Sequence, residues 1–250
     1  MKKWLDGLYK KSELYFALTW IGLYCALNSL ANPVSEMLGI DSIAALICNA
    51  LLSTVLFIWI RQSGRMQDYG LCRSRVPARR FLWYIPLAVF ASGNLWFGFA
   101  ANLPPAGALC YILNMCFVGF LEEVIFRGLL FRALAKDGIR MAIVVSSVTF
   151  GLGHILNLFN GSGMNPAANI CQVAGAVACG FLFVILFHRG GSLLPCIIVH
   201  AVNNAVSVFA NESGLTVGKQ LLFSAVHMLI VISYTLILCR TLPGRGESDL

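Results

Sequence analysis

Two adjacent carboxylates, Glu122 and Glu123, sit in the stretch FLEEVIFRGLLFR, Phe120 to Arg132, which is otherwise almost wholly apolar. An ionised side chain in such surroundings is expensive unless it faces a polar cavity or a partner. On a helix each residue advances about 100 degrees, so Glu123 and Arg127 share a face and can form an ion pair. Glu122 points elsewhere and has no partner on its own helix. A carboxylate left over in this way can act as a base. Groups able to work with it occur in two other apolar runs. His154 lies in TFGLGHILN, with Phe150 one turn earlier on the same face. His200 lies in IVHAVNNAV, with Asn204 one turn later and Asn203 beside it. A carboxylate, two imidazoles and an amide on three separate helices suit activation of water and stabilisation of developing negative charge. Taken singly, each has a plainer reading. An intramembrane His or Asn usually joins helices, and a Glu–Arg pair is usually structural. His188, beside Arg189, and His227, isolated in the last apolar run, are weaker candidates.

The elements that must position these residues follow from composition. Of 250 residues, 58% are hydrophobic and 12% charged; a soluble domain carries about 25% charged residues. Mean hydropathy is +0.79. Apolar stretches run over Leu14–Leu30, Ser42–Ile60, Phe81–Ala100, Ala106–Leu134, Met141–Leu158, Ala167–Phe187, Ser192–Ala210 and Lys219–Cys239. Most approach or reach the roughly 17–25 residues needed to cross a bilayer. The expected fold is an all-α polytopic helical bundle of about eight transmembrane helices. Breakers such as ANPVSE, NLPPAG, NGSGMNP and NESG separate the runs. Residues 1–250 read as one membrane-embedded domain, with a catalytic core over 106–209. No cleavable signal peptide is expected, because the first apolar run is too long for one.

The net charge of +7 is distributed as a topology signal. Lys2, Lys3, Lys10 and Lys11 fall on one side. Arg61 to Arg80, Arg132, Lys136, Arg140, Arg189, Arg240 and Arg245 fall on the same side after alternate crossings. Ala31–Asp41, Ala101–Pro105 and Asn160–Pro166 carry no Lys or Arg, and of the 18 basic residues only Lys219 lies at an outer loop. Basic residues collect on the cytoplasmic side, so both termini are expected there. The charge therefore calls for a lipid bilayer with anionic headgroups, not for nucleic acid. Nine cysteines without a CxxC pair read as small apolar residues rather than a disulfide framework.

The three sets of residues resemble the motifs of the CPBP intramembrane protease family (Abi family), which includes type II CAAX prenyl endopeptidases and bacteriocin-processing relatives. Those motifs are EExxxR, FxxxH and HxxxN. This chain has EEVIFR at Glu122–Arg127, FGLGH at Phe150–His154 and HAVNN at His200–Asn204, in that order. The resemblance implies an intramembrane endopeptidase acting on a membrane-associated peptide or protein. Glu122 and His154 would activate water. His200 and Asn204 would stabilise the oxyanion, with Asn203 able to share that work. Glu123, Arg127 and Phe150 would support the site. The resemblance covers both glutamate-dependent proteases and metalloproteases, so it commits no cofactor; in a zinc-dependent version Glu122, His154 and His200 would be the ligands. Rival classes are a proton-coupled transporter, which would need repeats not found here, and a noncatalytic immunity or scaffold protein. Short loops and compact size point to a prokaryotic cell membrane and a nonprenylated substrate. The oligomeric state is left open.

Overall fold

The computed structural model describes residues 2–159 and 166–243. It is a helical bundle without named strands among those residues. The helices are α1 (Lys2–Lys11), α2 (Glu13–Leu38), α3 (Ile43–Gln62), α4 (Ile85–Ala91), α5 (Pro105–Glu123), α6 (Arg132–Ala135), α7 (Ile139–Gly153), α8 (Pro166–Gly190), α9 (Leu194–Val206) and α10 (Val217–Thr241). A π-helical stretch, Val124–Phe131, joins α5 to α6 without interruption. Among the described residues, 6 helices are long and apolar enough to cross a membrane by length and composition, and Leu194–Phe209 is a shorter apolar helix. Outward-facing residues such as Leu51, Ile170, Leu222 and Leu229 are exposed apolar groups, as lipid contact requires. The protein is an integral membrane protein.

One expected helix does not form as a single element. Phe81–Ala100 is broken into a turn over Ala78–Tyr84, the 7-residue α4 and a second turn over Gly93–Leu95. Leu82, Trp83 and Tyr84 adopt left-handed backbone with φ of 51, 54 and 58°, which ends any helix. Pro86, with no N–H to give, then starts α4. At 1.5 Å per residue α4 is about 10 Å long, far short of a bilayer core. Gly93 packs directly on the His227 ring, where a side chain would collide.

The core has two large clusters, and a small third one of Ala31, Ala44 and Ala45 lies between α2 and α3. One large cluster gathers Phe16, Leu56, Trp59, Leu121, Ile125 and Phe150; the other gathers Phe81, Phe131, Leu182, Phe183 and Phe187. Helix α1 is fastened to the end of α3 by Trp59 Nε1, which donates to Asp6 Oδ1 at 2.9 Å. All nine cysteines are free thiols. Only Cys196 is fully buried and Cys116 is exposed, so the rest pack less deeply than small core residues would. The segment Asn160–Asn165, most of the expected outer loop, lies outside the described residues.

Candidate active site

Helix α5 carries the carboxylates, and a close approach sets them against α9. Gly119, one turn before Glu123, faces the Ala201 backbone so tightly that an added Cβ would lie 2.8 Å from Ala201 N. Ala201 follows His200, so the missing side chain at Gly119 lets His200 come up against the glutamates. Beyond Glu123 the backbone loosens into the π-helical stretch. Ser146 on α7 donates to the Phe126 carbonyl at 2.8 Å, satisfying an oxygen in that stretch. Such stretches frequently lie at functional sites.

Glu123 and Arg127 are both fully buried, with side-chain exposures of 0%/0%, and their ion pair is 3.0 Å long. The same oxygen, Glu123 Oε1, accepts from His200 Nδ1 at 2.8 Å. The Arg127 guanidinium also lies over the Phe150 ring at 4.0 Å and near Phe183 at 5.5 Å. Phe150 thus serves as a neutral wall that accommodates a buried cation. Glu123 does more than neutralise Arg127: it fixes the orientation of the His200 ring.

Glu122 is turned the other way. Its side chain is 13% exposed, and its Oε2 lies 3.5 Å from His200 Nε2. Tyr24 on α2 donates to its Oε1 at 2.6 Å. His154 ends α7, where its Nδ1 donates to the Phe150 carbonyl at 3.1 Å. A carbonyl can only accept, so Nδ1 carries a proton and, in the neutral ring, Nε2 of His154 is the nitrogen open to accept one. Buried Asn169 on α8 holds this helix end by donating to the His154 carbonyl at 2.8 Å. Asn203 Nδ2 donates to Asn204 Oδ1 at 3.3 Å, which leaves the Asn204 Nδ2 group to donate elsewhere. Asn94, in the turn after α4, donates to the Asn203 carbonyl at 2.7 Å.

These groups share an interior space. A cavity of about 550 Å³ is lined by Glu122, His154, Asn204, Asn203, Phe150 and Tyr24, among others. A second cavity of about 240 Å³ touches His154, His200, Asn203 and Asn204 from the other side and is walled by Phe90, Phe183 and Phe223. Glu122, His154, His200 and Asn204 therefore line two contiguous hollows, one polar and one aromatic. Glu123 and Arg127 lie behind them. His188 and His227 do not join Glu122: His188 packs on Phe131, and His227 is held among Trp96, Phe90 and Phe223.

The zinc alternative fits poorly. Among the described residues no three His, Cys, Asp or Glu side chains converge as metal ligands. Both imidazoles use Nδ1 for other bonds, which orients their Nε2 atoms and does not itself argue against a metal; the lack of convergence does. No step below passes through a metal.

Three comparisons with known proteins bear on this site. Residues 104–206 match the family model described as type II CAAX prenyl endopeptidase Rce1-like. This match supports a CAAX-type intramembrane protease family. Neither the curated proteins nor the solved structures gave a match. The matched segment runs from the start of α5 to the end of α9, so it contains all three motifs. Helices α2 and α3 and the turn after α4 lie outside it. They nonetheless contribute Tyr24 and Asn94 to the same cavity, and neither residue was picked out by motif or spacing. The polar residues Asn28, Asn49 and Asn114, in apolar runs of their own, carry the same sequence signal as Asn204.

Proposed function

We propose that the protease hydrolyses a peptide bond of a membrane-associated peptide or protein, with Glu122 and His154 activating the attacking water. The observation that carries this reading is the convergence of Glu122, His154 and Asn204 on one cavity, with His200 held beside Glu122 by a buried Glu123–Arg127 pair. Glu122 takes a proton from water as the water oxygen bonds to the substrate carbonyl carbon. The carbonyl oxygen becomes an oxyanion. Asn204 Nδ2 and protonated His200 Nε2 donate to it. The C–N bond then breaks as the captured proton is returned to the leaving amine, giving a new carboxyl and a new amino terminus. His154, with its Nε2 basic, passes protons between Glu122 and the amine. Glu123, Arg127 and Phe150 maintain the geometry.

The substrate we propose is not prenylated, and its setting is a prokaryotic cell membrane; short loops and compact length support both. The experiment is cleavage of two quenched fluorogenic peptides of one sequence by the purified protein in proteoliposomes. One peptide has a prenylated cysteine and the other a free thiol. Cleavage of the free-thiol peptide at a comparable or higher rate is expected. Cleavage of the prenylated peptide alone would overturn the substrate preference. Cleavage of neither would overturn the protease mechanism.

A further inference from the structure

We propose that Tyr24 is a positioning residue of this protease, holding one oxygen of Glu122 and so fixing the carboxylate beside His200, where it acts as the base. The inference rests on the protease reading above.

The Tyr24 hydroxyl donates to Glu122 Oε1 at 2.6 Å, a short hydrogen bond of the charge-assisted kind. Glu122 Oε2 is buried and accepts no hydrogen bond; its neighbour is His200 Nε2 at 3.5 Å. The two oxygens are therefore distinguished, one tied to α2 and the other left beside the imidazole. A glutamate side chain has three rotatable bonds, and without a fixed contact its carboxylate would sample several orientations. A tyrosine has only two torsions before its ring, and this one reaches Glu122 from a neighbouring helix. Orienting contacts of this kind commonly change activity 10–100-fold at other sites, roughly the size expected here.

The placement of Tyr24 is itself secured. Asn28, one turn later on α2, donates to the Tyr24 carbonyl at 2.9 Å. Asn28 and Asn49 exchange hydrogen bonds at 3.0 and 2.9 Å. Asn49 on α3 also donates to Asn114 at 2.9 Å, and Asn114 lies on α5, the helix that carries Glu122. Three amides thus lock α2 to α3 and α5 about two turns from the Glu122 position. The separation between Tyr24 and Glu122 is fixed at two points, the ladder and the hydrogen bond. Helix–helix adhesion alone would need only the ladder. Tyr24 lies outside the residues matched to the family model, 104–206.

The test is steady-state kinetics of wild type and Tyr24→Phe in proteoliposomes, on whichever fluorogenic peptide the wild type cleaves, beside a melting curve. Tyr24→Phe keeps the ring and its packing and removes only the donor. We expect kcat to fall roughly 10- to 100-fold, with KM within about twofold and the melting temperature unchanged. In a Glu122→Asp background the shortened carboxylate no longer reaches the hydroxyl, so adding Tyr24→Phe should cost little more. A kcat within about twofold of wild type would overturn the proposal, as would a change confined to KM. The same fold loss in both backgrounds would also overturn it, because Tyr24 would then act independently of Glu122. A wild type that cleaves neither peptide would refute the protease reading, and the role of Tyr24 with it.

Discussion

Replacing Glu123 by Gln should damage stability more than any other conservative change at the site. Glu123 Oε1 accepts from Arg127 at 3.0 Å and from His200 at 2.8 Å, and neither Glu123 nor Arg127 has any exposed surface. Glutamine keeps an acceptor oxygen but loses the charge. Arg127 then remains as a buried cation, and breaking one half of a buried ion pair costs about 3–5 kcal/mol. The Phe150 and Phe183 faces at 4.0 and 5.5 Å offset part of this, since a desolvated cation–π contact contributes about 2 kcal/mol. The lower end, about 3 kcal/mol, is therefore expected, against a total stability of about 5–15 kcal/mol for a typical domain. Unfolding in mixed micelles, followed by circular dichroism, measures it. Glu123→Gln combined with Arg127→Met removes the orphan charge and should recover most of the loss. Wild-type stability in Glu123→Gln, or a double variant no more stable than the single one, would refute the reasoning.

Asn204→Ala should lower kcat by about 10²–10³-fold with KM little changed, because an oxyanion donor acts in the transition state; a loss confined to KM would remove Asn204 from that role. Activity should survive exhaustive chelation, since Glu122, His154 and His200 do not converge as ligands among the described residues. One bound zinc per chain, with activity lost on chelation and restored by zinc, would reverse this. Topology reporters fused after Arg75 and at the C-terminus should both report the cytoplasm, and one inserted in Asn160–Gly163 the outside. An outside signal at Arg75 would sink the topology read from Lys and Arg.

Much of this fold is legible in the apolar runs. The runs at Leu14–Leu30, Ala106–Leu134, Ala167–Phe187 and Lys219–Cys239 each lie within a long apolar helix, because in a bilayer every backbone group must bond within its own segment. Phe81–Ala100 has a similar composition and fails to form one helix. Composition does not register three consecutive left-handed residues, Leu82 to Tyr84; Pro86, Gly93 and Gly98 are the local signs of the break. At the site, motif spacing locates Glu122, Glu123 and Arg127 on one helix, but not the shared use of Glu123 Oε1 by Arg127 and His200. That contact depends on how closely α5 and α9 pack at Gly119, a tertiary fact. Tyr24 is less legible still. A tyrosine in an apolar run reads as packing, and its partner is 98 residues away in the chain. The amide ladder was open to inference, since Asn28, Asn49 and Asn114 each interrupt an apolar run at a cost that demands a partner. Attention to ionisable groups alone passes over them.

The central claim is that Glu122 activates the water that cuts the substrate. The most direct measurement is cleavage of the fluorogenic peptide in ¹⁸O-enriched water by wild type and Glu122→Gln, with products identified by mass spectrometry. Glu122→Gln gives up the carboxylate that Tyr24 bonds at 2.6 Å but leaves the Glu123–Arg127 pair intact, so it should remain folded in the membrane. The wild type should place one ¹⁸O in the newly formed carboxyl group. Glu122→Gln should lose roughly 10²–10⁴-fold in rate, the range that a positioned acid or base supplies. Near-normal turnover by Glu122→Gln, or a product carrying no solvent oxygen, would contradict the account.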